Sequence, residues 1–201
     1  MRLDGVARAG RGAHRPAEQD VVGEDEVGRK LGPDGVGVRR DVALALREVG
    51  ARALIVGFGD YREELERTAP PRALFTGPLE HRHLVHLLPL AHVTVVPSIF
   101  PEAFGMVAAE AAAAGSPPLV ARHSGLAEIA VGLEHEYPSH LRHLARFESG
   151  NVADLAVKLN ELLTIPSAAH TTLRRAARRA ATERWSWRGV AERLLEPLQI
   201  R

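Results

Sequence analysis

The chain has 201 residues, 45% of them hydrophobic and 25% charged, which suits one sizeable α/β domain. Its 26 basic and 25 acidic residues leave a formal net charge of +1, so charge implies neither a nucleic-acid partner nor an acidic surface. The lack of cysteine excludes disulfides, cysteine-ligated zinc and thiol catalysis; with no apolar run near the ~18 residues of a spanning helix and no apolar core of a secretory signal, the expectation is a cytoplasmic protein.

Residues 1–40 are rich in Gly, Arg and Asp and show neither a strand nor a helix period. Val21-Val22 and Val36-Gly37-Val38 are their only apolar pairs, so this stretch is expected to be poorly ordered, or at best a weak strand and loop. The domain boundary therefore falls at residue 41, with the folded domain in 41–201. Val42, Leu44, Ala45, Leu46 and Val49 suit one helix face, stopped by Gly50. Ala53–Val56 reads as a buried parallel strand closed by Gly57-Phe58-Gly59, either a plain strand-to-helix turn or a phosphate cradle. Residues 61–68 form a helix ended by Pro70-Pro71. Ala73–Phe75 is a strand closed by Thr76-Gly77-Pro78, and residues 82–88 are a helix. His92–Val96 is a strand closed by Pro97-Ser98, and Phe104–Ala114 is an Ala-rich helix ended by Gly115. Pro118–Ala121 is a strand closed by His123-Ser124-Gly125, with another helix from Leu126. Strands alternating with helices at this spacing predict a Rossmann-like, doubly wound parallel sheet, whose loops 57–60, 76–79, 97–105 and 122–125 share the rim at the strands' carboxyl ends. The remainder is helical: 151–163, an Arg-rich stretch 170–184, and a last amphipathic helix with Val190, Leu194 and Leu195 inward.

Two carboxylates, Glu102 and Glu110, stand eight residues apart, the first in the loop after a strand and the second on the next helix. Gly105 lies near the helix start, where free N–H groups and the helix dipole favour a phosphate. A rise of ~1.5 Å per residue puts Glu110 up to ~9 Å along the axis from Phe104. One carboxylate can thus sit beside the sugar of a nucleotide sugar and the other beside a ribose, with the diphosphate between them.

At these residues the sequence resembles the retaining glycosyltransferases of the GT-B fold, especially glycosyltransferase family 4. Glu102 and Glu110 match the family's E-x7-E motif. The order of landmarks is also similar: Gly57-Phe58-Gly59, Phe75-Thr76-Gly77, Val95-Val96-Pro97-Ser98, Glu102-Ala103-Phe104-Gly105-Met106, Ser124-Gly125-Leu126-Ala127-Glu128, Ser149-Gly150-Asn151 and Glu183-Arg184-Trp185-Ser186-Trp187. The resemblance covers roughly residues 41–201 and implies the donor-binding, C-terminal half of such an enzyme. It implies that Glu110 binds ribose hydroxyls and that Glu102 holds donor-sugar hydroxyls. The backbone N–H groups of Phe104, Gly105 and Met106 would touch sugar and phosphate, Gly57 and Gly59 would line the donor site, and Gly77 to Leu79 would lie near the base. The substrate would be a nucleoside-diphosphate sugar, with no metal and no cofactor.

The family's Arg and Lys for the diphosphate have their nearest counterpart in Gly28-Arg29-Lys30-Leu31 followed by Asp34-Gly35; Arg29 fits, and the second cation is replaced by Asp34 or displaced to Lys30. The family's acceptor-binding domain has no counterpart, and the strand that opens the donor domain is hard to see before Arg29. A truncated donor half, inactive alone, is one expectation; a non-catalytic nucleotide-sugar-binding remnant is the other. The missing opening β/α unit would expose an apolar sheet edge and helix faces and promote self-association or low solubility; a separate acceptor-binding domain is the other possible partner. His81, His83 and His86 are expected to be a solvated helix start, and His135, His140 and His143 a chance cluster. Arg174, Arg175, Arg178 and Arg179 form a basic face, solvated or in peripheral membrane contact. Trp185 and Trp187 are expected to be packing anchors.

Overall fold

The computed structural model describes residues 20–25 and 35–196. Its strands are β1 (Asp20–Asp25), β2 (Arg52–Gly57), β3 (Ala73–Gly77), β4 (Val93–Val96), β5 (Pro118–Ala121) and β6 (Arg146–Phe147). They form one parallel sheet in the order β3-β2-β1-β4-β5-β6. The helices between and after them are α1 (Gly35–Val49), α2 (Arg62–Thr68), α3 (His81–Leu87), α4 (Met106–Ala114), α5 (Ser124–Glu136), α6 (Val152–Thr164), α7 (Ser167–Ala180) and α8 (Trp187–Leu195). This is the doubly wound arrangement expected from the strand–helix alternation, with the strand order reversing beside β1.

The boundary expected at residue 41 does not match the structure. β1 lies in the middle of the sheet, with Val22 opposite Leu54 on one side and Thr94 on the other. α1 begins at Gly35, six residues before the expected start of order. One valine pair is too weak a pattern to mark a strand. Two flanking parallel ladders stabilise it instead, and that information resides in the partner strands. The sheet edge expected to lie open is therefore occupied, and the ground for self-association through it disappears.

The core follows the apolar runs. β4 and β5 are buried along their whole length, as strands covered by helices on both faces must be. Thr94 is tolerated there because its hydroxyl and that of Ser116 lie 2.8 Å apart, each fully buried and satisfying the other. α1 packs against α6, while α4 and α5 pack against α7. The Ala-rich α4 buries Ala108, Ala111 and Ala112 completely, and their small side chains let it lie close to its neighbours. Asn151 caps α6, its side-chain oxygen accepting from the Asp154 N–H at 3.0 Å, and Ser186 caps α8 in the same way through the Gly189 N–H.

Two of the four arginines of the basic face, Arg174 and Arg178, tie α7 to earlier segments, and a third makes a surface ion pair. Arg174 donates to the carbonyls of Pro89 and Ala91, at 2.7 and 3.0 Å. Arg178 donates to those of Ala113 and Ala114, where the end of α4 leaves acceptors without helical partners. Arg179 reaches Glu136. Burial, and then the neighbouring Arg178 charge, lower the Arg174 pKa below the usual guanidinium range. The inward face expected for the last helix is also revised. Leu194 and Leu195 are exposed, as is Trp187, because α8 packs chiefly on the π-helical turn Ala181–Trp185. Trp185 is the packing residue of the pair.

Candidate functional site

The strands' carboxyl ends and the helices that follow them enclose a cleft of about 280 Å³. Gly57 and Phe58 supply one wall from the end of β2, and Pro78, Leu79 and His81 another from the turn after β3. Met106, Val107 and Glu110 close it from the first turns of α4. Val107 and Glu110 are three residues apart and so share a helix face. Glu110 is partly buried, and its carboxylate lies 3.7 Å from the His81 imidazole. Gly59 lies beside this cleft, in a small adjoining cavity with Arg62 and Phe75. Arg62 also approaches Gly77, where an added Cβ would meet the guanidinium at 3.2 Å.

Glu102 lies one loop away. Its main chain is held to the start of α5: the Glu102 N–H donates to the Ser124 hydroxyl, and the Gly125 N–H donates to the Glu102 carbonyl, each at 3.0 Å. Its carboxylate faces Gly105, whose absent Cβ would stand 3.5 Å from Glu102 Oε2 and 2.6 Å from Leu126. Gly105 has φ +96°, a left-handed conformation that suits glycine, and it begins α4 without any side chain to cap the first turn. The first N–H groups of α4 therefore have no cap from Gly105. Phe104 is fixed from behind by Trp185, edge to face at 6.3 Å between ring centroids. Trp185 in turn fills the space over Gly132.

Of the residues singled out from the sequence, Gly57, Leu79, Met106 and Glu110 converge on the cleft. Glu102, Phe104 and Gly105 form the adjoining loop, Gly59 and Gly77 flank Arg62, and Arg29 lies outside the described residues, with Lys30 and Asp34. The sequence reading missed His81, Phe58, His123 and Ser124. His81 was expected to be merely solvated; it is exposed, yet it faces Glu110. Its place at the head of the helix after β3 was the available signal, since such positions lie on the ligand-binding rim. Among the described residues no three His, Asp or Glu side chains gather in a way that could hold a metal ion.

The family model of "Glycosyl transferases group 1" matches residues 42–184. The chain belongs to that family. It is 35% identical over 164 residues to the GDP-mannose-dependent alpha-(1-6)-phosphatidylinositol dimannoside mannosyltransferase of Mycobacterium tuberculosis, covering 79% of this chain and 39% of that protein. It is 37% identical over 117 residues to the glycogen synthase of the same organism, covering 58% of this chain and 26% of the relative. Among solved structures it resembles Anabaena HepE in complex with UDP and glucose, with a TM-score of 0.68 and 23% identity over 90% of this chain and 48% of that one. It also resembles the sucrose-phosphate synthase of Thermosynechococcus elongatus, with a TM-score of 0.68 and 24% identity over 92% of this chain and 46% of that one. The chain thus spans less than half the length of these four proteins, and the likeness to the two solved structures concerns the fold.

Proposed function

We propose that this glycosyltransferase-group-1 chain is the donor-binding domain of a retaining, family-4-type enzyme that transfers a sugar from a nucleoside-diphosphate sugar. The observation that carries the proposal is the placing of Glu110 in a cleft lined by Gly57, Leu79 and Met106, beside a helix start without a cap. Glu110 accepts hydrogen bonds from the two ribose hydroxyls. The base lies along Leu79 and Phe58. The diphosphate lies at the start of α4, where the main-chain N–H groups and the helix dipole offset its charge. Glu102 accepts from hydroxyls of the donor sugar, with the main chain of Phe104 and Gly105 beneath it. The relatives' names support a nucleotide-sugar substrate, as one is GDP-mannose-dependent and another was solved with UDP and glucose.

Binding needs no divalent ion in this reading, because the N–H groups and dipole at the start of α4, together with Arg29, carry the diphosphate. Transfer also requires an acceptor hydroxyl held at attack distance and the exclusion of water. Those tasks fall to a second wall of the cleft, formed by an acceptor-binding domain corresponding to the part of the relatives that this chain does not span. Calorimetry with UDP-glucose, GDP-mannose and ADP-glucose tests the proposal. One of them binds, binding survives a chelator, and Glu110→Ala weakens it at least about tenfold, as expected for charge-assisted hydrogen bonds of ~1.5–3 kcal/mol. Binding of none of the three, or binding that disappears with the chelator, refutes it.

A further inference from the structure

The loop that bears Glu102 is closed by a chain of polar contacts through two residues outside the cleft. The His123 Nε2 meets the Ser98 carbonyl at the start of that loop. The His123 Nδ1 lies 2.8 Å from the Ser124 hydroxyl, and that hydroxyl accepts from the Glu102 N–H at 3.0 Å. A carbonyl only accepts, so Nε2 carries a hydrogen. In the neutral imidazole Nδ1 is then an acceptor, and the Ser124 O–H donates to it. Every hydrogen in the chain Glu102 N–H to Ser124 to His123 to Ser98 thus has one direction, and residues 98 and 102 are tied to the same two side chains.

Two further observations show that this arrangement is enforced. Ser124 has φ +42°, in the left-handed region that a residue with a Cβ disfavours. It is the only non-glycine residue with positive φ among the described residues. Immediately after it, Gly125 lies so close to the loop that an added Cβ would stand 2.6 Å from the Phe104 main chain and 2.7 Å from that of Ala103.

We infer that His123 and Ser124 are positioning residues that set where the Glu102 carboxylate stands, and hence how the sugar of the donor is recognised, as distinct from the nucleotide. The inference rests on the donor-binding reading above. It separates two functions within one site. None of Ser98, Glu102, His123 and Ser124 lines the cleft that holds Glu110, so nucleotide affinity depends on this chain far less than the position of Glu102 does.

The test compares three sugar donors, UDP-glucose, GDP-mannose and ADP-glucose, with UDP, GDP and ADP, on the full chain. Ser124→Gly removes the hydroxyl and relieves the left-handed strain, so it folds. His123→Ala removes both imidazole contacts, and His123→Gln restores an amide able to donate to the Ser98 carbonyl. For whichever pair binds the unmodified chain, Ser124→Gly and His123→Ala weaken the sugar donor about threefold to tenfold, the worth of a lost hydrogen bond. They leave the free nucleoside diphosphate within about twofold, and His123→Gln recovers most of the loss. Equal losses for both ligands, or no loss for either, overturn the positioning role while leaving the donor reading intact. Failure of the unmodified chain to bind any nucleoside diphosphate or sugar donor overturns the donor reading and this inference with it.

Discussion

Gly125 is where the loop of Glu102 and the start of α5 come closest, so Gly125→Ala probes how firmly the fold fixes that carboxylate. The new Cβ would stand 2.6 Å from the Phe104 N and Cα and 2.7 Å from the Ala103 carbonyl carbon. Carbon atoms settle at ~3.5–4.0 Å, so about 1 Å must be found by moving main chain, because no flexible side-chain end can give way. Overpacking of this kind costs about 1–3 kcal/mol. For a domain of this size that lowers Tm by about 2–12 °C. Because α5 is anchored in the core through the fully buried Leu126, Ile129 and Leu133, the loop is the part that moves. A shift of about 1 Å at Glu102 is large on the scale of a hydrogen bond, so affinity for the sugar donor falls further than affinity for the nucleoside diphosphate. Gly150→Ala is the control. It has φ +77° and nothing within 4 Å of an added Cβ, so it carries only the left-handed backbone cost of about 1–2 kcal/mol. Differential scanning calorimetry with titration of both ligand types measures these effects. An unchanged Tm and unchanged sugar-donor affinity in Gly125→Ala would show that the loop is not seated on α5 as described.

Two further outcomes follow from the packing. Tyr137 is buried, and its hydroxyl has no hydrogen-bond partner among the described residues, so Tyr137→Phe leaves stability equal or raises it by up to about 1 kcal/mol in urea melts. Burial pushes the Tyr137 pKa above its ordinary 10.0, so the folded chain keeps the phenol protonated where the unfolded chain ionises it, and stability, unaffected by this group's titration below pH 10.0, falls above it by about 1.4 kcal/mol per pH unit. Tyr137→Phe should therefore flatten the alkaline side of the stability profile, and an unchanged slope would contradict the burial. Arg174→Leu strips two hydrogen bonds from the carbonyls of Pro89 and Ala91 and should cost about 1–3 kcal/mol, whereas Arg175→Leu, on the exposed side of α7, should change stability by no more than about 0.5 kcal/mol.

The strand–helix alternation from residue 53 onward, the glycine turns at strand ends, and the spacing of Glu102 and Glu110 were all legible in the sequence. Each is a local pattern: apolar runs of four residues with turn residues between them can form few structures other than buried parallel strands. From those runs follow the rim of loops and the residues that meet on it. β1 was not legible, because Asp20–Asp25 carries one valine pair and takes its place from ladders to β2 and β4. The contacts of Arg174 and Arg178 escaped the sequence for a similar reason. The spacing of these arginines marks an amphipathic helix, but the unpartnered carbonyls at Pro89, Ala91, Ala113 and Ala114 that Arg174 and Arg178 meet lie 64 to 85 residues earlier in the chain. Leu194 and Leu195 show the converse, since an apolar stripe identifies a face without supplying what covers it. Local order and the carboxylate pair were thus determined by the sequence itself, through short-range sterics and periodicity. The sheet order, the pairing of His81 with Glu110 and the His123–Ser124 tie on the loop of Glu102 were decided by tertiary structure, because each depends on distant segments whose hydrogen-bonding groups meet only after the sheet has assembled.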